Sequence, residues 1–160
     1  MLLSIKPQYA EMIIKGTQKY EFRTRKGRDD IKKIIFYATA PKSQVVGEAE
    51  IECVLVGKPT EIWKKTRCGS GIPVSFFKEY YKNSEVAVAY KLTNVRAYET
   101  PKALKDYGVT HVPQSFIYLK QQNDWQLLHF RFPKTSIRNI IKQEIDRINA
   151  KNGNAAQSNL

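Results

Sequence analysis

One stretch in the middle of the chain alternates apolar and polar residues with the period of two that is typical of a half-buried β-strand. In residues 45–56 (VVGEAEIECVLV) one face is mostly apolar, and the other carries Glu48, Glu50 and Glu52. The pattern predicts a long strand whose glutamates lie on a solvated face, where they can pair with basic residues of a neighbouring strand. Gly47 interrupts the apolar face, so we expect a bulge or a bend there. A second apolar-rich run, residues 86–98, predicts another long strand that ends before Pro101.

The beginning of the chain predicts a strand, a helix and a second strand. Residues 2–5 are a short apolar run, and a proline and a glycine bound a helix over residues 7–15. Residues 19–23 (KYEFR) then alternate charged and aromatic side chains, which indicates a strand with its aromatics toward a core. The opposite face of that strand carries Lys19, Glu21 and Arg23. This charged row is either a solvated outer face or the floor of a site.

Four aromatic residues mark another helix, which Pro73 opens. Their spacing of one, four and five residues forms a single apolar stripe on a helix. We expect this stripe to pack in the core rather than to stack on nucleobases. Its members are Phe76, Phe77, Tyr80 and Tyr81.

Shorter elements fill the intervals between these. Residues 34–38 (IIFYA) predict a central strand, and Pro59 opens a short helix. Residues 101–106 predict a helical turn that a glycine ends, and residues 111–119 predict a turn leading into a strand. The polar turn before residues 125–132 predicts that they form a hairpin partner of that strand.

The order of elements predicts an α+β fold, a small and mostly antiparallel β-barrel or curled sheet decorated by short helices. Residues 1–132 form the predicted domain. Residues 133–150 form a C-terminal helix with an isoleucine stripe, which docks on the domain, pairs with a partner or lies along a phosphate backbone. Residues 151–160 are polar and predict a disordered tail.

The charge changes this picture by pointing to a partner. Of the 160 residues, 27 are Lys or Arg and 15 are Asp or Glu, which gives a net charge of +12. Such an excess favours a polyanionic partner, most often nucleic acid. Residues 15–33 alone hold eight basic residues against three acidic ones. The loop that contains Arg25 can therefore follow a phosphate backbone, or it is simply solvated.

Other classes of function find little support in the sequence. No apolar run reaches the ~18 residues of a membrane span, and no basic leader precedes an apolar run, so we expect a cytoplasmic protein. The two cysteines and two histidines are scattered, which predicts free thiols and neither a metal site nor a cofactor. The loop that contains Gly69 and Gly71 lacks the lysine that a phosphate-binding loop requires.

Three polar clusters are candidates for chemistry. The charged row on residues 19–23 offers a lysine beside a carboxylate and an arginine that can hold an anion with two hydrogen bonds. Thr39 follows the predicted central strand where the chain leaves the sheet, and Gln114 and Ser115 precede a later strand. Each cluster alone is weak, because such residues are also common in turns.

Taken together, three stretches resemble the ASCH domain (activating signal cointegrator homology) of the PUA-like fold. They are LLSIKPQYAEMIIKGTQKYEFR, IIFYATAPKSQVVGEAEI and PQSFIYL, in this order, and they span residues 2–119. The resemblance is to stand-alone prokaryotic proteins with the pattern Gly-x-x-Lys-x-Glu-x-Arg. It implies a small β-barrel with a cleft for RNA or a modified nucleotide, bordered by Lys6, Lys19, Glu21, Arg23, Arg25, Thr39, Gln114 and Ser115.

The resemblance also implies two enzymatic alternatives to a binding module. Some similar proteins cleave RNA, and the catalytic candidates for that reaction here are Lys19, Glu21, Tyr37 and Ser115. Others remove the acetyl group of acetylcytidine with a lysine and a threonine. Aligned on Gly16 and Arg23, those two residues would fall at Gln18 and Glu21, so the amidohydrolase set is incomplete and the ribonuclease is the stronger alternative.

Overall fold

The computed structural model describes residues 1–119. Their six strands are β1 (Leu2–Ile5), β2 (Tyr20–Arg23), β3 (Lys33–Ala38), β4 (Gln44–Gly57), β5 (Ala87–Lys102) and β6 (Phe116–Ile117). Their α-helices are α1 (Pro7–Ile14), α2 (Pro59–Thr66) and α3 (Val74–Tyr80), and 3₁₀ turns lie at Arg67–Gly69 and Leu104–Tyr107. The predicted hairpin partner, the C-terminal helix, the tail and the domain boundaries after residues 132 and 150 lie outside the described residues.

The six strands form one mixed sheet in the order β2-β5-β4-β3-β1-β6, curled into a half-barrel. Only the β1–β3 pair is parallel, and the other four pairs are antiparallel. The predicted class, α+β with a mostly antiparallel curled sheet, is therefore confirmed. Among the strands of residues 1–119, β2 and β6 lie at the two edges of the sheet. No helix among residues 1–119 is long and apolar enough to span a membrane.

Strand β4 supplies much of the curl. Its register against β5 shifts at three places, one of them between Val45 and Gly47. A side chain at Gly47 would collide with the Arg96 carbonyl of β5, so glycine is required where the two strands approach. This confirms the predicted bulge. Two glutamates of β4 pair with basic residues of neighbouring strands as predicted, Glu48 with Lys33 (2.9 Å) and Glu52 with Lys91 (2.6 Å), whereas Glu50 accepts from the amide of Asn94 (2.8 Å).

Strand β5 continues to Lys102, beyond the end that the sequence predicts at Pro101. Only Tyr20–Arg23 of β2 pair with its first half, at residues 88–91, whereas β4 accompanies it to the end. Within the described residues, β5 is thus paired on one side only over its second half. A proline is tolerated there because its missing N–H is not needed for a ladder.

Two apolar clusters hold the helices against the sheet. One packs α1 on the sheet through residues such as Ile13 and Phe36, and the other packs α2 and α3 against β2 and β5. In this second cluster Phe77 of α3 and the following Tyr81 are buried, at 2% and 3% exposure.

The other two aromatics of α3 do not join the core. Phe76 is 58% exposed and Tyr80 is 49% exposed, so the prediction of a core-facing stripe is wrong for both. Aromatics at spacings of one, four and five cover a broad sector of a helix surface. The sheet and α2 cover only the half of that sector that holds Phe77 and Tyr81.

Candidate functional site

We call the open side of the half-barrel, where β2 faces β1 and the segment before β6, the seam. The side chain of Arg23 bridges this seam. Its Nη2 donates a hydrogen bond to the backbone carbonyl of Ser4 in β1 (2.7 Å), and its Nη1 lies 3.5 Å from the Ser115 hydroxyl. The segment before β6 is tied to β1 as well, because Ser4 donates from its backbone to Ser115 (2.9 Å) and from its hydroxyl to Pro113 (2.7 Å). Arg23 thus links β2, one edge of the sheet, to the strands at the other edge.

Glu21 is the buried partner of Arg23. Residue Glu21 is 5% exposed. Its Oε1 accepts a hydrogen bond from Arg23 Nε (2.9 Å) and lies 2.8 Å from Arg23 Nη2. Burial raises the pKa of the Glu21 carboxyl above its ordinary value of 4.5, and the charge and hydrogen bond of Arg23 oppose part of that rise. The carboxyl group is therefore poised to exchange a proton closer to neutral pH than a solvated glutamate does.

A cleft of about 540 Å³ opens beside this pair, between the seam, the start of α1 and the exposed side of α3. Its polar lining includes Lys6, Gln18, Glu21, Arg23, Thr39, Glu79 and Gln114, and its aromatic lining includes Tyr9, Phe22, Phe76 and Tyr80. The volume falls in the range of ~300–1,000 Å³ that small-molecule sites occupy.

Five of the eight predicted ligand-binding residues line this cleft, and they are Lys6, Glu21, Arg23, Thr39 and Gln114. Ser115 does not line it but lies against Arg23. Lys19 and Arg25 are exposed elsewhere. The Lys19 backbone is bonded to Gly69 and Leu92 (2.8 and 2.9 Å), and its side chain runs beside Gly69.

Of the predicted catalytic candidates, only Glu21 lines the cleft. Tyr37 is 3% exposed and packs with Leu2 and Val45 in a third apolar cluster. The structure therefore does not assemble Lys19 with Tyr37 or Ser115 around the cleft. Among residues 1–119, no three His, Cys, Asp or Glu side chains gather in a way that could hold a metal ion, and both cysteines are free.

Sequence reasoning missed Gln18, Phe76 and Tyr80 as lining residues. Gln18 is 4% exposed, and its Nε2 donates to the Tyr20 carbonyl (2.8 Å). Two signals pointed to Gln18: its place in the alignment on Gly16 and Arg23, and the glycine-rich loop after α2. Gly71 of that loop adopts φ +67°, and a Cβ there would lie 2.7 Å from the Gln18 Cβ. The signal for Phe76 and Tyr80 was the aromatic stripe of α3, which covers more of the helix surface than one buried face can hold.

The charge of the lining is balanced rather than strongly basic. Lys6 and Arg23 are matched by Glu21 and Glu79, and Arg23 is committed to Glu21. Lys6 is exposed and stands at the N-terminus of α1, directly before Pro7. The charged side chains that line the cleft therefore contribute nothing to the net positive charge of the chain.

Comparison with known proteins relates this fold to ASCH domains. The crystal structure of ASCH from Zymomonas mobilis superposes with a TM-score of 0.70 at 24% identity, over 79% of this chain and 92% of that one. A curated protein of the same organism, named ASCH domain-containing ribonuclease, is 24% identical over 131 residues, which are 79% of this chain and 88% of the relative. The ASCH resemblance predicted from the sequence is thereby confirmed at the level of fold.

A second curated relative is the large ribosomal subunit protein uL22 of Ureaplasma parvum serovar 3, which is 29% identical over 121 residues. The match takes in 75% of this chain but spans only 39% of the length of that relative. A family model described as "Domain of unknown function (DUF365)" matches residues 10–118, which include the C-terminal part of α1, the whole of β2 to β6 and most of the cleft lining. The chain belongs to the DUF365 family.

Proposed function

We propose that this protein binds RNA through the cleft at the seam, with one nucleotide seated in it. The observation that carries the proposal is that two exposed aromatic rings and the cations of Lys6 and Arg23 line the same nucleotide-sized cleft. The names of two relatives support RNA as the polyanion, since one is a ribonuclease and the other a ribosomal protein. The net charge of +12 supports it further.

The aromatic rings would supply the contact with the base. Phe76 and Tyr80 are one helical turn apart on α3, so their side chains are neighbours on its surface. Large exposed aromatics in a concave site are typical of binding surfaces, and stacking of a base on such a ring contributes ~1–3 kcal/mol. Tyr80 also packs edge-on against the buried Tyr81, with ring centroids 4.8 Å apart, which holds it in place.

The cations would supply the contact with phosphate. Lys6 is exposed beside the cleft, and among the described residues it takes part in no ion pair. A lysine that neutralises one phosphate of a single strand contributes ~0.7 to the slope of log K against log salt concentration. The proposal thus predicts a salt dependence to which Lys6 contributes and distant lysines do not.

The chain offers a matched control for Lys6. Lys58 also stands directly before a proline at the start of a helix, with nearly the same backbone angles (φ −62°, ψ 142° against φ −64°, ψ 141°), but it does not line the cleft. We expect Lys6→Gln to weaken binding of a labelled RNA and to reduce the salt slope by about 0.7. Lys58→Gln should leave both unchanged. Equal effects of the two variants would refute the cleft as the RNA site.

The aromatic contact is tested on the same helix. Phe76→Leu keeps an apolar side chain but removes the ring, and should weaken binding by roughly 5- to 100-fold if the ring stacks on a base. Val74→Ala changes an exposed apolar residue of α3 that does not line the cleft, and should have no effect. Fluorescence anisotropy with a single-stranded RNA of about eight nucleotides measures both. A Phe76→Leu affinity equal to that of the wild type would exclude stacking.

A second candidate function is that of a ribonuclease, favoured by the ribonuclease relative and by the buried Glu21 in the cleft. With its raised pKa, the Glu21 carboxylate would serve as a general base. It would take the proton of a ribose 2′-hydroxyl while that oxygen bonds to the adjacent phosphorus. The bond from phosphorus to the 5′-oxygen would break, and the leaving oxygen would take a proton from water.

This second candidate has its own experiment. The protein is incubated in EDTA with end-labelled RNA, with DNA of the same sequence, and with acetylcytidine as the amidohydrolase substrate. The mechanism predicts cleavage of RNA alone, lost in Glu21→Gln and retained in Glu48→Gln, whose glutamate pairs with Lys33 outside the cleft. Intact RNA after prolonged incubation with wild type would exclude the ribonuclease and leave the binding proposal standing.

A further inference from the structure

One buried hydrogen-bond acceptor of the cleft has no partner. The Oε1 atom of Gln18 is shielded from solvent and accepts no hydrogen bond from residues 1–119. A buried polar atom without a partner is uncommon in folded proteins and lowers their stability. The residue lines the cleft, so a ligand seated there that displaces the groups now shielding the oxygen would supply the missing donor.

The orientation of the Gln18 amide is fixed by its surroundings. Its nitrogen donates to the carbonyl of Tyr20 at 2.8 Å, and a carbonyl oxygen can only accept. Turning the amide over would set two oxygens against each other, so the oxygen must be the unpartnered atom. Gly71 packs so closely against Gln18 that a methyl group on Gly71 would collide with the Gln18 Cβ and Cα. This contact restricts the position of the Gln18 side chain.

Glu21 also lines the cleft, and its hydrogen bond from Arg23 uses only one of its two carboxylate oxygens, Oε1. A base in the cleft would therefore face two hydrogen-bond acceptors, Gln18 Oε1 and the Glu21 carboxylate. The base edge that complements them is one that carries hydrogen-bond donors. An exocyclic amino group, as on cytosine, carries two N–H donors. Uracil offers a single ring N–H that lies between two carbonyl oxygens, which is a poorer match to such a floor.

On this basis we propose that the cleft selects a nucleobase with an exocyclic amino group, and that Gln18 Oε1 reads that group. The inference rests on the proposed RNA-binding function and adds a base preference to it. Cytosine and uracil make the sharpest comparison, because they have the same size but present an amino group and a carbonyl at the same position.

The experiment measures binding of oligo(rC) and oligo(rU), each of about eight nucleotides, to the full chain at one salt concentration. Wild type should bind oligo(rC) roughly five- to tenfold more tightly, the effect expected when a buried acceptor gains its hydrogen bond. Gln18→Met, of similar length but without an amide, should bind the two equally. Gln18→Lys replaces the acceptor by a donor and should shift the preference toward oligo(rU).

Thermal unfolding shows whether Gln18→Met and Gln18→Lys are folded. One folded variant is enough to test the role of Gln18. Equal affinities of wild type for the two oligomers, or tighter binding of oligo(rU), would overturn the base preference while leaving RNA binding intact. A cytosine preference that persists in a folded Gln18→Met protein would overturn the role of Gln18. Failure of wild type to bind either oligomer would refute the proposed function itself, and the base preference with it.

Discussion

Replacing Arg23 by methionine should destabilise the protein far more than the loss of an ordinary surface charge. Arg23 contributes two close contacts to the Glu21 carboxylate and one hydrogen bond to the Ser4 carbonyl, at 2.7–2.9 Å. The side chains of the pair are only 14% and 6% exposed. The variant Arg23→Met leaves the carboxylate buried without its partner, so that it must either remain charged in a poor environment or bind a proton.

Removing one member of a buried ion pair costs about 3–5 kcal/mol, which is a large part of the ~5–15 kcal/mol that stabilises a typical domain. The double variant Glu21→Leu/Arg23→Met removes both charges, so most of this loss should be recovered. Arg23→Lys keeps the charge but cannot make the same fork of bonds, and should fall between wild type and Arg23→Met. The cost of Arg23→Met should also shrink in acid, because a protonated Glu21 no longer needs the cation.

Urea unfolding followed by tryptophan fluorescence measures these free energies. The control is Lys33→Met, which breaks the pair with Glu48, whose side chains are 48% and 18% exposed. That variant should cost no more than about 1 kcal/mol. An Arg23→Met cost as small as the Lys33→Met cost, or a double variant less stable than Arg23→Met alone, would contradict the account of a buried and interdependent pair.

Three further predictions follow from single contacts. Gly71→Ala should destabilise by about 2 kcal/mol or more, because its methyl group meets the Cβ and the backbone of Gln18, whereas Gly16→Ala, at φ +75° with open space, should cost only about 1 kcal/mol in thermal unfolding. The raised pKa of Glu21 gives stability that is present below pH 4.5 and is lost as the pH rises through that pKa. Wild type should therefore lose stability relative to Glu21→Gln as the pH rises above 4.5, and a constant difference in urea unfolding would contradict this. Tyr81→Phe should cost about 1 kcal/mol in the same assay, because the hydroxyl has one hydrogen to donate and lies within hydrogen-bond distance of two backbone carbonyls (3.0 and 3.3 Å), and no change would show that this bond contributes nothing.

The elements of the described fold could be predicted largely from local patterns. Alternation gave β2 and β4, a proline and a glycine gave the limits of α1, Pro59 gave the start of α2, and Gly47 gave the bulge. Each of these signals lies within a few residues of the structure that it specifies. The end of β5 could not be predicted in this way, because whether Pro101 is tolerated depends on which neighbouring strand accompanies it.

The site was predictable only in part for the same reason. Lys6, Glu21, Arg23, Thr39 and Gln114 were identified because the ASCH resemblance orders their motifs, and the structure brings these five to one cleft. Their roles in binding stay predictions.

Phe76 and Tyr80 were assigned to the core because a helical pattern shows which residues share a stripe but not how much of the stripe is covered. Gln18 was missed because its burial arises from the approach of Gly71, more than fifty residues later in the chain.

The seam has a mechanical consequence. On its open side, the described contacts from β2 to the opposite edge come from the arginine side chain rather than from a strand ladder. Separating the edges there requires breaking a few side-chain bonds, whereas separating any neighbouring pair of strands requires breaking a ladder. Because the same guanidinium lines the cleft, a phosphate that bound its Nη2 would compete with the Ser4 carbonyl for that group. Under the proposed function, a ligand held through Nη2 would therefore loosen the closure of the half-barrel.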